Sequence, residues 1–251
     1  MGVPIAMLFP ILLILLIIVS AVLKSPKVKG FLGELSVRII LKKLKKEEFE
    51  VLHNIMLEKD GNTTQIDHVI IGRTGIFVVE TKNYKGWIFG SEHSKFWTQT
   101  IFKSKYRFQN PIHQNYGHIK FLEHHLQDYF GPFFSIVAFS KRGTLKKIDI
   151  ISEDIHVVHS QQLPRIINSK TVVGMSTDSV HRVAEMIRKA NCMNKDIAKK
   201  HVQTIKQERK IRDAKLERNM CPKCNNELIE KSGKTGKFTS CSQYPKCRYT
   251  I

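Results

Sequence analysis

Four of the chain's five cysteines fall within its last 31 residues, as Cys221-Pro-Lys-Cys224, sixteen intervening residues, then Cys241-Ser-Gln-Tyr-Pro-Lys-Cys247. A segment that short cannot bury enough apolar surface to fold by itself, so something other than a core must hold it. Two close cysteine pairs separated by a hairpin-length insert can set four thiolates tetrahedrally around one Zn²⁺, and Gly233-Lys234-Thr235-Gly236 supplies the turn between them. The metal then contributes most of the segment's stability. Chance and a redox C-x-x-C pair are the alternatives, and the clustering of all four cysteines argues against chance. Thiolate ligation needs reduced sulfur and a cytosolic setting, whereas disulfides would place the chain outside the cell.

The other end carries 21 consecutive uncharged residues, Val3 to Leu23, dominated by Leu, Ile and Val. At about 1.5 Å per residue this run spans a hydrocarbon core of roughly 30 Å. Lys24, Lys27 and Lys29 follow it and no basic residue precedes it, so the positive-inside rule puts the bulk of the chain in the cytoplasm. A cleaved signal peptide is the competing reading. It lacks the basic leader and the small-residue cleavage site that such peptides carry. The expectation is a single-pass protein of the cell membrane, attached to it by one N-terminal helix.

The formal charge of +19 favours polyanionic partners, either nucleic acid or anionic headgroups. Between residues 181 and 219, twelve Lys and Arg stand against five Asp and Glu with sparse apolar positions, the pattern of a solvated helical connector. The expected division is an anchor over 1–24, an α/β domain over 25–160, a basic helical connector over 161–219 and a zinc module over 220–251.

Within the α/β domain, Val37, Ile40, Leu41 and Leu44 mark one helix face. Residues 50–57, 65–71 and 76–82 read as strands, the last two joined as a hairpin by Gly72-Arg73-Thr74-Gly75. A strand pair is expected over 86–89 and 96–99, a helix over 111–129 introduced by Pro111, and strands over 133–139 and 155–158. Trp87, Phe96 and Trp97 read as core.

Side chains alternate along strands, so Asp67 shares a face with Val69 and Ile71, while Glu80 and Lys82 share one with Ile76 and Val78. The hairpin lets Asp67 and Glu80 converge, with Lys82 one pleat on. Two carboxylates that close repel unless a divalent cation lies between them, and the oxygens of Asp67, Glu80 and the Thr81 carbonyl suit Mg²⁺ or Mn²⁺. Glu34, one turn before Val37 on the apolar helix face, is expected to face the same place, because an unpaired carboxylate there is costly. A surface salt bridge is the plainer reading of such a pattern. His68 should point to the opposite face in a structural role. His113, His118, His124 and His125 read as surface or packing residues, and Cys192 as a plain thiol.

Two resemblances add to this. Residues 33–125 resemble the nuclease-related domain, NERD, of the PD-(D/E)xK restriction-endonuclease-like superfamily. The likeness is carried by Gly33-Glu34, Gln65-Ile66-Asp67-His68-Val69, Gly75-Ile76-Phe77-Val78-Val79-Glu80-Thr81-Lys82, Gly86, and Asn110-Pro111 with Gln114. It implies a mixed sheet flanked by helices, Mg²⁺-dependent phosphodiester hydrolysis, and a catalytic set on Glu34, Asp67, Glu80, Lys82 and Gln114. The C-terminal segment resembles the four-cysteine zinc finger of bacterial type IA DNA topoisomerases through CPKC, the loop Gly233 to Phe238, and CSQYPKCRYT. Those modules bind single-stranded DNA, which here implies stacking by Phe238, Tyr244 and Tyr249 and phosphate contacts by Lys237, Lys246 and Arg248. At least one of the three aromatics is expected to pack the minimal core instead.

Together these features predict an α/β restriction-endonuclease-like domain, with one transmembrane helix before it and a charged connector and zinc-ribbon-like module after it. The expected function is a membrane-anchored, metal-dependent deoxyribonuclease holding structural Zn²⁺ and catalytic Mg²⁺ or Mn²⁺, with no organic cofactor. A non-catalytic protein tethering DNA to the membrane is the alternative. An adaptor binding lipid or protein is a third reading, and the zinc finger argues against it.

Overall fold

The computed structural model describes residues 20, 25–193, 195–233 and 236–251. Apart from Ser20, the anchor expected over Val3–Leu23 lies outside the described residues. Among those described, no helix is long and apolar enough to cross a membrane. The chain divides into two compact units, the second beginning at Asn194.

In chain order the first unit runs α1 (Pro26–Leu41), β1 (Phe49–Lys59), β2 (Asn62–Gly72), β3 (Gly75–Lys82), β4 (Gly86–Ser91), β5 (Phe96–Ile101) and β6 (Ser104–Gln109). Then come α2 (Pro111–His125), β7 (Phe133–Phe139), β8 (Gly143–Asp149), β9 (Ile155–His159), α3 (Leu163–Asn168) and α4 (Thr177–Ala190). The central sheet has the order β1-β2-β3-β7-β9. Its first three strands are antiparallel, and β7 and β9 add in parallel, so the sheet is mixed as expected.

Both faces of this sheet are covered, which is why β3 reads as a near-continuous apolar run. On one face Ile70, Phe77 and Val79 meet Val37 and Leu41 of α1. On the other, Val69, Ile71, Ile76 and Val78 meet Leu122 of α2 and Val180 and Ile187 of α4. Each such side chain contributes roughly 1.5–3 kcal/mol when removed from water. The β2–β3 turn closes tightly because Gly75 sits at φ +142, and a Cβ there would come within 2.6 Å of the Pro132 carbonyl oxygen.

A second sheet, of order β6-β5-β4-β8, lies beyond the expected pair β4–β5. The strands β6 and β8 are rich in Lys and Arg and present only one thin apolar face, so their alternation is hidden in the sequence. Trp97 is fully buried beneath this sheet, stacked 6.2 Å from Phe139. Trp87, expected in the core, is 51% exposed. The pleat sends it to the side opposite Ile88, which faces the core.

The charged stretch after residue 160 also divides differently. The helix α4 buries Val180, Val183, Ala184 and Ile187 against the first unit, so the solvated connector is confined to α5 (Lys195–Glu217) of the second unit. The apolar positions of α4 recur at i, i+3, i+4 and i+7, an amphipathic stripe set among surface charges. The second unit ends in a hairpin, β10 (Leu228–Gly233) with β11 (Gly236–Cys241).

Candidate active site and metal centre

Three elements bring the expected acidic and basic residues of the first unit together. In the β2–β3 ladder His68 pairs with Val79, so Asp67 and Glu80 lie one step beyond that pair on neighbouring strands. The Thr81 backbone N–H donates to Asp67 Oδ2 at 2.8 Å and fixes that carboxylate. Lys82 Nζ donates to Glu80 Oε1 at 2.6 Å and to Gln114 Oε1 at 2.9 Å. Gln114 reaches it because Asn110 sets the start of α2. The Asn110 side-chain oxygen accepts from Ile112 N at 2.9 Å, and Pro111 occupies the first turn.

Glu34 comes from α1. That helix approaches β3 so closely that a Cβ on Gly33 would lie 2.9 Å from the Asn83 Cβ. Glu34 is half-buried, and burial followed by the charge of Glu80 raises its pKa.

The electrostatics separate the two strand carboxylates. Burial, and then Glu80, raise Asp67 well above the usual carboxylate range, and the Thr81 N–H offsets this only partly. Burial also works against ionised Glu80. Lys82 and His118 outweigh it, so its pKa falls below the ordinary value. Lys82 is raised: burial alone would lower it, but the Glu80 carboxylate dominates. The charged form of Asp67 is therefore the one that the protein leaves uncompensated. A hard divalent cation such as Mg²⁺ or Mn²⁺ is the kind of group that would relieve it.

One residue of this cluster escaped the sequence reading. His118, read as surface or packing, is buried, with Nε2 3.2 Å from Glu80 Oε2 and Nδ1 2.8 Å from Thr64 Oγ1. The signal was present: His118 lies one helical turn after Gln114, so both project from the same face of α2. His68 does take the opposite face. It is buried there with Nδ1 2.8 Å from His53 Nδ1, and burial together with His53 and Arg38 lowers its pKa to about 3. Beside Lys82 opens a cleft of about 450 Å³ whose walls carry Lys29, Lys85 and Arg142.

In the second unit the four cysteine sulfurs lie within 4.8 Å of one another. Among the described residues they are the one group of three or more His, Cys, Asp or Glu gathered closely enough to hold an ion. Cys221 Sγ is 3.7 Å from Cys247 Sγ, and Cys224 Sγ is 3.3 Å from Cys241 Sγ. These separations far exceed a disulfide bond of about 2.05 Å. They approach the ~3.8 Å edge of a tetrahedron with 2.3 Å zinc–sulfur bonds. Gln243 N donates to Cys241 Sγ at 3.4 Å and Asn226 Nδ2 to Cys224 Sγ at 3.5 Å, as thiolate ligands require of their surroundings. The cluster fits a structural zinc.

Around it, Tyr244 and Phe238 are 59% and 38% exposed, and Lys246 and Arg248 are exposed as well. Tyr249 packs against the cysteine cluster, which identifies the aromatic that serves the core. Lys237 Nζ pairs with Glu230 Oε1 at 2.6 Å.

An α/β domain with helices on both faces of its central sheet, holding an acidic–lysine set and joined to a four-cysteine module, defines a nuclease-related class of protein with a zinc finger. Residues 29–140 match the nuclease-related domain, NERD, and residues 218–251 match the topoisomerase DNA binding C4 zinc finger. The chain is 45% identical over 198 residues to an uncharacterized protein of Bacillus anthracis, an alignment covering 78% of this chain and 93% of that one. It therefore belongs to the family of nuclease-related-domain proteins. The finger is 63% identical over 38 residues to DNA topoisomerase 1 of Methanocaldococcus jannaschii, which is 15% of this chain but 5% of the topoisomerase. It is also 62% identical over 29 residues to an uncharacterized protein of Escherichia coli, 12% of this chain and 16% of that one. No solved structure matches.

Proposed function

We propose that the chain is a membrane-anchored, divalent-metal-dependent nuclease that hydrolyses DNA phosphodiester bonds, with its zinc finger binding the DNA. The first unit is read as a restriction-endonuclease-like domain. The observation that carries the reading is Lys82, held between Glu80 and Gln114 at the wall of a basic cleft and one strand away from Asp67.

Hydrolysis adds water across one P–O bond: a proton leaves the attacking water and another reaches the departing oxygen. Mg²⁺ or Mn²⁺ on Asp67, Glu80 and the Thr81 carbonyl would supply Lewis acidity toward the phosphate. The Lys82 ammonium is placed to orient the water and to offset the charge that builds on the phosphate. Gln114 fixes that ammonium from its far side. His118 holds the second oxygen of Glu80, and Glu34 adds a third carboxylate whose charge is felt at Asp67. Lys29, Lys85 and Arg142 give the DNA backbone a positive wall along which to lie.

Residues Val3–Leu23, with the lysines that follow, support the anchor and a cytoplasmic location for both units. The finger's likeness to the topoisomerase DNA binding C4 zinc finger and its exposed Phe238, Tyr244, Lys246 and Arg248 support single-stranded DNA as its ligand.

One observation favours the second reading, a non-catalytic DNA tether: Glu80 is already matched inside the protein by Lys82 and His118. The deciding experiment uses the full chain in detergent with single-stranded, duplex and branched DNA, in Mg²⁺, Mn²⁺ and EDTA. Metal-dependent cleavage that disappears in Asp67→Ala and Lys82→Ala, with binding retained, is the expected result. Binding without cleavage of any substrate would leave the tether.

A further inference from the structure

The second sheet turns one face to the core, and on its other face Trp87, Lys105 and Arg107 are exposed. Strand alternation and the β4–β5–β6 register put Trp87, Thr100 and Lys105 in one row of the outer face. The next row holds Phe89, Thr98 and Arg107, with Phe96 beyond it. Cations stand over these rings. Lys146 Nζ is 4.9 Å from the Trp87 ring centroid, and the Arg107 guanidinium carbon is 4.7 Å from that of Phe96. At the β5–β6 turn Phe102 is 95% exposed and held at φ +53, a left-handed conformation that a bulky side chain rarely adopts. Such strain around a solvent-facing ring has no packing gain to offset it.

Charge and position narrow what could lie there. The four strands of this sheet contain a single carboxylate, Asp149, 4.0 Å from Lys147. Trp87 and Phe102 line a cavity of about 350 Å³, and its walls share Lys85 and Ile101 with the cleft that contains Lys82. Flat rings interleaved with cations, on an open sheet, are what a single nucleic-acid strand needs: bases stack and phosphates meet Lys and Arg. A duplex keeps its base faces inside and cannot use the rings.

We propose that the outer face of this sheet, with Trp87 and Phe102 as stacking platforms and Lys105, Arg107 and Lys146 as phosphate contacts, binds a single nucleic-acid strand and leads it toward Lys82. The binding surface is inferred from its own residues. Its purpose as a feed to Lys82 rests on the nuclease reading.

The chain's two tryptophans make the test direct, because both lie in the first unit and only Trp87 is exposed. The full chain in detergent is titrated with an oligo-dT strand while tryptophan emission and oligonucleotide anisotropy are followed together. The expected result is quenching that tracks binding and is abolished in Trp87→Phe, while the affinity read by anisotropy falls about tenfold in Trp87→Ala and in Phe102→Ala. Lys105→Ala and Arg107→Ala should each reduce the slope of log affinity against log salt by about 0.7. The blue emission of buried Trp97 reports that each variant is folded.

Anisotropy change without quenching assigns all binding to other parts of the chain and overturns the proposal. So does an emission change of the same size caused by doping the micelles with phosphatidylglycerol, which assigns the face to a lipid surface. Quenching without cleavage upholds the surface while the nuclease reading fails. Cleavage with KM unchanged in Trp87→Ala does the reverse.

Discussion

In the second unit four cysteine sulfurs lie within 4.8 Å of one another, with the hydrogen-bond donors Asn226 Nδ2 and Gln243 N–H beside them. In the first unit, the negative charge of Glu80 is met by Lys82 at 2.6 Å and by His118 at 3.2 Å, and the elements holding them are joined by two extensive apolar clusters. Each place gathers like charges: the first meets them with counter-charges built into the protein, and the second presents neutral hydrogen-bond donors to its sulfurs. A site that brings its own cations can assemble before any metal arrives, so its fold should be indifferent to metal. A site that lacks them makes the metal part of the fold.

The sharpest way to break this contrast is to remove zinc. A strong chelator, or Cys221→Ser with Cys247→Ser, should abolish amide protection across residues 220–251 in hydrogen exchange, a loss on the scale of about 10 kcal/mol of metal binding. The thermal transition of the first unit should not move. A common loss of protection in both units would show that the contrast is wrong.

Asp67→Asn tests the other side. Cleavage should fall at least about a hundredfold. The melting temperature should hold or rise, because the buried carboxyl is strained in its charged form and an amide can still accept from Thr81 N. The sign follows from the raised pKa. The unfolded Asp67 loses its proton first as pH climbs, so above its ordinary value the residue costs stability, and the amide removes that cost.

A smaller effect is expected for His118→Gln. Its bond to Glu80 orients the carboxylate, so the half-saturating Mg²⁺ concentration should rise about ten- to a hundredfold. With metal in excess, turnover should recover most of its value. A variant that is equally poor at all metal concentrations would give His118 another task.

The mildest prediction concerns pH. Burial lowers His53 to about 4 and His68 to about 3, from an ordinary value near 6.5. The unfolded chain therefore binds protons that the fold refuses, and stability, complete above pH 6.5, is lost as pH falls toward 4. Urea midpoints measured between pH 7.5 and 4.5 should decline, and the decline should be shallower in His68→Gln.

Much of the first unit was legible because its signals are local. The hairpin residues Gly72 and Gly75, the alternation around Asp67 and Glu80, and Pro111 at the head of a helix each specify structure within a few residues. The second sheet was half hidden because β6 and β8 buy little apolar burial and spend their sequence on Lys and Arg. His118 was missed for a different reason. Its meaning depends on Glu80, 38 residues away, and only tertiary packing brings the two together. The stretch 177–190 looked solvated because charge count outweighed the thin stripe Val180, Val183, Ala184 and Ile187.

Asn110 is wholly buried, and its side-chain NH₂ donates to the carbonyls of Ser91, Glu92 and Ser94 while its oxygen caps α2. It works as a rivet between the turn that joins β4 to β5 and the helix carrying Gln114 and His118. A strand held on the outer sheet, as proposed above, would pull on this rivet and on Ile112, which packs with Ile88 and Trp97 beside it. Its load would then reach the helix whose Gln114 accepts from Lys82.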